Sequence, residues 1–269
     1  MRRSRLAVTF VLLVVCVSFA GRRVSGQFRY WSGQNVVPVF EGWERNPDGS
    51  FNFVFGYFNR NYEESLDVLV GPDNNIEPGG PDQGQPTFFA PSRQKFLFRV
   101  KAPKDWPITK RLVWTLTVRG KTEKANAFLL PEWEMNSQVM ALNGGGGGGG
   151  VDEDYNQPPV ITFTGPLSAA FPDGASVVAA VTDDGVPKPR AARRGGPPRP
   201  PLLRVAWLQF RGPVGGRVSF SPSTSPVVNG KAETVATLTM PGQYSLLGIA
   251  MDGGASSTAA VTVNAGARR

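Results

Sequence analysis

The stretch FNFVFGYFN, residues 51–59, decides the fold class: Phe51, Phe53, Phe55 and Tyr57 recur with a period of two and so share one face of a β-strand. The turn sequence Asn46-Pro47-Asp48-Gly49 precedes it and predicts a hairpin with VVPVFEGWE, residues 36–44. Working outward, further strands are predicted at KFLFRV (95–100), RLVWTLTV (111–118) and KANAFLL (124–130), with Arg119-Gly120-Lys121 turning between the last two. Residues 71–91 hold five prolines and four glycines and are predicted to be loop. No stretch has the 3.6-residue periodicity of an amphipathic helix of useful length.

The second half repeats the habit. Strands are predicted at residues 159–164, 175–182, 202–210, 216–221, 233–240, 243–251 and 257–263. Seven short strands at regular spacing describe an immunoglobulin-like β-sandwich. The expected fold class is therefore all-β, with two such sandwich modules. With 32 glycines, 24 prolines and only 19% charged residues, the composition suits short strands joined by turns.

Residues 1–26 have the pattern of a secretory signal: Arg2, Arg3 and Arg5 precede the apolar run Leu6–Ala20, and small-residue cleavage patterns end at Ala20 and Gly26. The run is shorter than the roughly 20 residues of a membrane-spanning helix, which disfavours the alternative of an uncleaved anchor, and no transmembrane segment is expected after signal removal. The expected organisation is a signal peptide (1–26), an N-terminal module (27–143), a flexible linker (144–157), a second sandwich (158–264) and a tail (265–269). The seven glycines Gly144–Gly150 and the acidic Asp152-Glu153-Asp154 make the linker. A Pro-rich loop at 185–201 carries Lys188, Arg190, Arg193, Arg194 and Arg199 with no acidic residue. Its two readings are contact with anionic lipid or polysaccharide, and a tolerated surface insertion.

The chain has no histidine, and its one cysteine, Cys16, lies in the apolar run. A lipid-attachment reading of Cys16 is disfavoured by Val15, since a small residue is expected there. Residues 27–269 therefore offer no thiol nucleophile, imidazole base, disulfide or Cys/His zinc site. The net charge of +8 is concentrated in the signal, because residues 27–143 balance 13 basic against 13 acidic side chains. Nucleic acid is accordingly not an expected partner.

Asp183-Asp184-Gly185, Trp207, Pro241-Gly242-Gln243-Tyr244 and Asp252-Gly253-Gly254 resemble the PKD and related immunoglobulin-like domains of bacterial surface and secreted proteins. Leu208-Gln209-Phe210 stands where the PKD signature has aspartate and glycine, so the resemblance is to the wider group. It implies structural roles for Trp207, on a central strand, and Tyr244, as a tyrosine corner. GYFNRN (56–61), residues 70–91 and LVWTL (112–116) resemble a β-sandwich segment of bacterial exported and surface-displayed proteins, which implies kinship but no activity.

Paired carboxylates are the remaining acid/base equipment. Glu41 and Glu44, three apart on a strand, are expected on opposite faces, as are the adjacent Glu63 and Glu64. The expected cofactor set is empty, with calcium the one candidate: Asp183, Asp184 and Asp252 lie in loops that can meet at one end of the sandwich, and Asp73, Asn74, Asn75 and Asp82 form a second oxygen-rich loop. The leading expectation is an exported, non-enzymatic structural or recognition protein of the periplasm, envelope or extracellular space, with an envelope protein or polysaccharide as partner. The alternative is a carbohydrate-binding accessory protein using Trp31, Trp43 or Trp106 as sugar platforms.

Overall fold

The period-two run forms strand β2 (Phe51–Asn59), and the residues before the turn form β1 (Val36–Arg45). The strands pair antiparallel, with Phe40 opposite Phe55, and the turn closes through Gly49 N–H to Asn46 O at 2.9 Å. A computed structural model describes residues 30–136, 139, 156–186, 188 and 201–267. The predicted signal with Cys16, the glycine linker with its acidic exit, and most of the basic loop at 185–201 lie outside the described residues. The chain divides into two units at Tyr30/Trp31; in the first, only the exposed Tyr30 is described. The second, Trp31–Arg269, holds all the described strands.

The first group of strands continues with β3 (Leu66–Asp67), β4 (Asn74–Glu77), β5 (Phe88–Phe89), β6 (Ser92–Ala102), β7 (Leu112–Val118) and β8 (Lys121–Ala127). They form sheets ordered β1-β2-β6 and β4-β7-β8, with β3-β5 as a small extra ladder. The second group comprises β9 (Val160–Thr162), β10 (Leu167–Phe171), β11 (Ala175–Thr182), β12 (Arg204–Arg211), β13 (Val218–Ser221), β14 (Thr224–Pro226), β15 (Lys231–Leu238), β16 (Gly242–Met251) and β17 (Ser256–Ala267). Its sheets are ordered β13-β15-β11-β9 and β10-β17-β16-β12-β14.

Both groups follow immunoglobulin strand order. The first places its A, B and E strands (β1, β2, β6) against C, F and G (β4, β7, β8). The second places A, B, E and D (β9, β11, β15, β13) against C, F and G (β12, β16, β17), with β10 running parallel to the last strand. The chain is all-β, and both sandwiches are immunoglobulin-like. Strands β4 and β5 lie inside the predicted loop 71–91, and β10 and β14 fall where none was expected. Each is short and flanked by proline, so its pairing comes from the neighbouring strand rather than from its own pattern.

The two cores differ in texture. The first is aromatic: Phe55 stacks on Phe98 at 5.4 Å, and Trp114 meets Phe98 edge-on at 5.0 Å. The second is built from Val177, Ala179, Val181, Ala232 and Ala236, capped by Trp207 and Tyr244. A β-bulge between Phe40 and Gly42 turns β1 so that Phe40 and Trp43 both enter the first core. Gly42 sits at φ +141°, and a Cβ there would stand 2.5 Å from Met135 Cγ and 2.6 Å from Trp133 O. That space lets the segment after β8 cross the sheet, where Met135 N–H donates to Trp43 O at 2.8 Å.

The long segment 66–91 is stapled by buried amides. Asn74 Nδ2 donates to Val68 O (2.9 Å) and Pro86 O (2.8 Å), and its Oδ1 accepts from Trp114 Nε1 at 2.9 Å. Gln85, fully buried, donates to Pro81 O at 2.6 Å and Asn74 O at 3.2 Å. Replacing Asn74 with alanine strands two carbonyls and an indole N–H in the interior, at about 1–3 kcal/mol for each group left unpaired. Asn74→Ala is therefore expected to cost about 3 kcal/mol or more in urea-induced unfolding. An unchanged urea midpoint would show that water replaces the amide.

Candidate functional sites: the seam and the loop end of the second sandwich

Strand β12 alternates in and out: Val205, Trp207 and Gln209 face the second core, while Leu208 and Phe210 face the other way. Phe210, together with Leu247 of β16, is buried in the core of the first sandwich. Phe210 lies 6.4 Å from Phe98, and its carbonyl accepts Thr87 N–H at 3.1 Å. A register shift between Gln209 and Arg211 turns the next side chain onto the segment 82–88. Arg211 there donates to both oxygens of Asp82 (2.7 and 2.8 Å) and to Gln85 O at 2.8 Å.

A second ion pair joins Arg217 to Asp67 at 2.9 Å, with the Arg217 guanidinium 5.1 Å above the Phe88 ring. Asp67 also accepts Gly215 N–H at 3.1 Å. The sandwiches thus meet through an apolar plug ringed by charge-assisted bonds. An open cleft of about 590 Å³ runs beside the plug, lined by Leu97, Phe98, Leu247, Ser257 and Thr258. Hydrogen bonding to Arg211 holds the Asp82 carboxyl down to about 2. The string at 70–91 that carried only kinship in the sequence supplies one side of this contact. Sequence reasoning missed Phe210 and Arg211; the signal was the loss of alternation in LLRVAWLQF and QYSLLGIAM, which is what strands buried on both faces show.

Several sequence-predicted residues stand elsewhere than expected. The bulge in β1 puts Glu41 and Glu44 on the same outer face, a correction to the opposite-face expectation. Each is engaged there: Arg93 Nη2 reaches both Glu41 oxygens (2.7 and 2.8 Å), and Arg99 binds Glu44 through two bonds of 2.8 Å. Trp43 is only 3% exposed and donates to Leu130 O, so it presents no platform: the bulge rotates it inward. Trp106 is half-buried, edge-on to Phe53 at 5.5 Å and with Lys110 Nζ 4.3 Å over its ring. Trp31 is 60% exposed and meets Tyr62, itself 46% exposed, edge-to-face at 5.3 Å.

Trp207 is buried on strand C with Nε1 donating to Ser225 Oγ at 2.8 Å, and Tyr244 Oη donates to Met240 O at 2.9 Å across the E–F corner. In the second oxygen-rich loop, Asn75 keeps a buried Oδ1 without a hydrogen-bond partner, while two of its neighbours are engaged. Asn74 is spent on backbone and indole partners, and Asp82 on Arg211.

At one end of the second sandwich, the loop after β11, the β16–β17 turn and the approach to β9 converge. Asp252 is buried in the β16–β17 turn, its Oδ1 accepting Gly254 and Ala255 N–H at 2.6 Å each. Its Oδ2 has no hydrogen-bond partner, nor do the buried Oδ1 atoms of Asp183 and Asn156. Asp184 turns away, accepting Gln157 N–H and Val186 N–H at 2.9 Å each. The structure thus brings Asp183 and Asp252 together, leaves Asp184 as a turn-former, and adds Asn156, which the sequence did not flag. Burial raises the Asp252 carboxyl above the ordinary range. It raises Asp183 likewise, with the charges of Asp252 and Asp184 adding to the effect. Among the described residues, no three Asp, Glu, Cys or His side chains form a metal-holding group; this cluster has two carboxylates and an amide. No described helix is long and apolar enough to cross a membrane.

No protein-family profile matches the chain, and no curated protein sequence does. Among solved structures, similarity is found to the I-band fragment I67–I69 of titin (9% identity, 87% of this chain and 65% of that one, TM-score 0.24). Titin domains Z1Z2 in complex with telethonin give 9% identity over 88% and 100%, with TM-score 0.24. The D00–D0 domain of intimin gives 12% over 85% and 99%, with TM-score 0.27. Likenesses of this size carry nothing about ligand or partner.

The seam has a pH signature. Asp82 is depressed in the folded state, so its contribution is complete above its unfolded value near 4 and is lost as the pH falls through about 2. Its carboxylate is 52% exposed, so solvent screening limits the pair to at most about 1 kcal/mol. Asp82→Asn is expected to lower the urea midpoint slightly at pH 6, and the gap from wild type should close towards pH 2. A gap independent of pH would show that the ion pair contributes nothing.

Proposed function

We propose that this chain is an exported, non-enzymatic structural or recognition protein whose two sandwiches work as one body. The observation that supports this most directly is the seam: Phe210 and Leu247 of the second sandwich are buried in the first core. A surface assembled from both halves is thereby held in fixed geometry, which suits presentation to a large partner such as an envelope protein or polysaccharide. The pairing of Glu41 and Glu44 with arginines fits a structural role for those carboxylates.

Two measurements on the chain in its native host test the proposal. The protein should be recovered outside the cytoplasm, processed near Gln27. Phe210→Ala, which removes the plug at about 3–5 kcal/mol, should still be exported yet lose retention in the fraction where wild type is held. An unprocessed cytoplasmic protein overturns the export reading, and full retention of Phe210→Ala overturns the one-body reading.

Carbohydrate binding is the second reading, favoured by the exposed Trp31–Tyr62 pair alone. On a glycan array, Trp31→Ala should abolish any wild-type signal. A signal that survives the substitution places the sugar elsewhere.

A further inference from the structure

We infer that Asn156, Asp183 and Asp252 form a binding site for a calcium ion at the loop end of the second sandwich. In this strand order the B–C and F–G loops lie at the same end, which brings Asp183, just after β11, to Asp252, in the β16–β17 turn. Asn156 arrives from the approach to β9, held there by the Gln157 N–H bond to Asp184. Asn156 and Asp252 are each only 2% exposed, and each carries an oxygen with no hydrogen-bond partner. Asp183 adds a third such oxygen.

Buried oxygens without partners are rare, because leaving one unpaired costs about 1–3 kcal/mol. With both carboxyls ionised all three atoms are acceptors, and the Asn156 side-chain contact with Asp252 leaves these oxygens unpaired; a proton shared by the carboxyls or a cation would satisfy them. Two carboxylates and a neutral amide oxygen match a dication in charge, and hard oxygen donors are the set calcium prefers. The half-buried Asp183 leaves an outer side on which waters complete the coordination. Asp252 Oδ1 is already fixed by two backbone N–H groups, so Oδ2 is oriented before any ion arrives.

Three protein oxygens make a weak site, in the range of about 10⁻⁴–10⁻³ M typical of extracellular modules. Its use in the cell therefore rests on the export proposed above. Binding itself is measured on the purified chain and succeeds or fails independently of location.

The test is calorimetric titration of the chelator-treated chain with calcium, with magnesium as comparison, alongside thermal melts. Calcium should bind with one-to-one stoichiometry and raise Tm by about 5–10 °C once it reaches 100 times the dissociation constant. Magnesium should bind at least tenfold more weakly. Asp183→Asn should weaken calcium binding at least tenfold. If that variant is poorly folded, Asn156→Asp serves instead: a third carboxylate should lower Tm without calcium and tighten calcium binding severalfold. An unchanged Tm and no heat at 10 mM calcium overturn the inference. So does calcium binding that neither variant alters, because the ion then sits elsewhere. An equal response to magnesium overturns the assignment to calcium.

Discussion

The insertion of Phe210 from one sandwich into the core of the other is the contact on which the rest of the arrangement depends. With a single cysteine in the chain, no intrachain disulfide can join the halves. The C-F-G sheet of the second sandwich is apolar on both faces: Trp207, Tyr244 and Leu246 serve its own core, while Phe210 and Leu247 serve its neighbour's. A sheet of that kind left uncovered would expose a contiguous apolar surface to water. Docking removes that surface, and the Arg211–Asp82 and Arg217–Asp67 pairs fix the angle at which it is removed. The apolar plug supplies the energy and the ion pairs supply the register, as their partial exposure to solvent requires.

The same constraint explains why a Gly- and Pro-rich segment is so thoroughly hydrogen-bonded. Residues 66–91 connect strands and, with Phe98 of β6, also form the first sandwich's half of the seam. A mobile loop could not hold Asp82 and the Gln85 carbonyl in place for Arg211. Side-chain amides of Asn74, Gln83 and Gln85 therefore do what a longer sheet ladder would do, pairing carbonyls that the prolines leave without partners. At the opposite extreme, the Asn156–Asp183–Asp252 cluster holds three of the four buried side-chain oxygens left without a hydrogen-bond partner among the described residues, the fourth being Asn75 Oδ1.

Much of this was legible in the residues. Phe51, Phe53, Phe55 and Tyr57 alternate because only one face of β2 meets the aromatic core, so their period announces a strand. The strand at residues 175–182 was legible with its boundaries for the same reason, alternating buried and exposed along its whole length. Strands β10 and β14 were not, because a few small or proline-flanked residues carry no periodicity of their own. A period of two places Glu41 and Glu44 on opposite faces because it has no allowance for a bulge. Trp43, a platform candidate by residue type, is buried because the same bulge turns it inward.

Sequence by itself determined that the chain is built of strands, that residues 27–269 carry no thiol or imidazole, and that Asp183 and Asp252 sit in loops rather than in strands. Those are local properties, set by side-chain period, residue type and turn preference. Tertiary structure alone decided that the two sandwiches share a core and that Arg211 finds Asp82 from 129 residues away. It also decided that Asn156, rather than Asp184, joins the buried oxygens. Each of these depends on which faces meet across long separations in the chain, and no local pattern encodes a partner that distant.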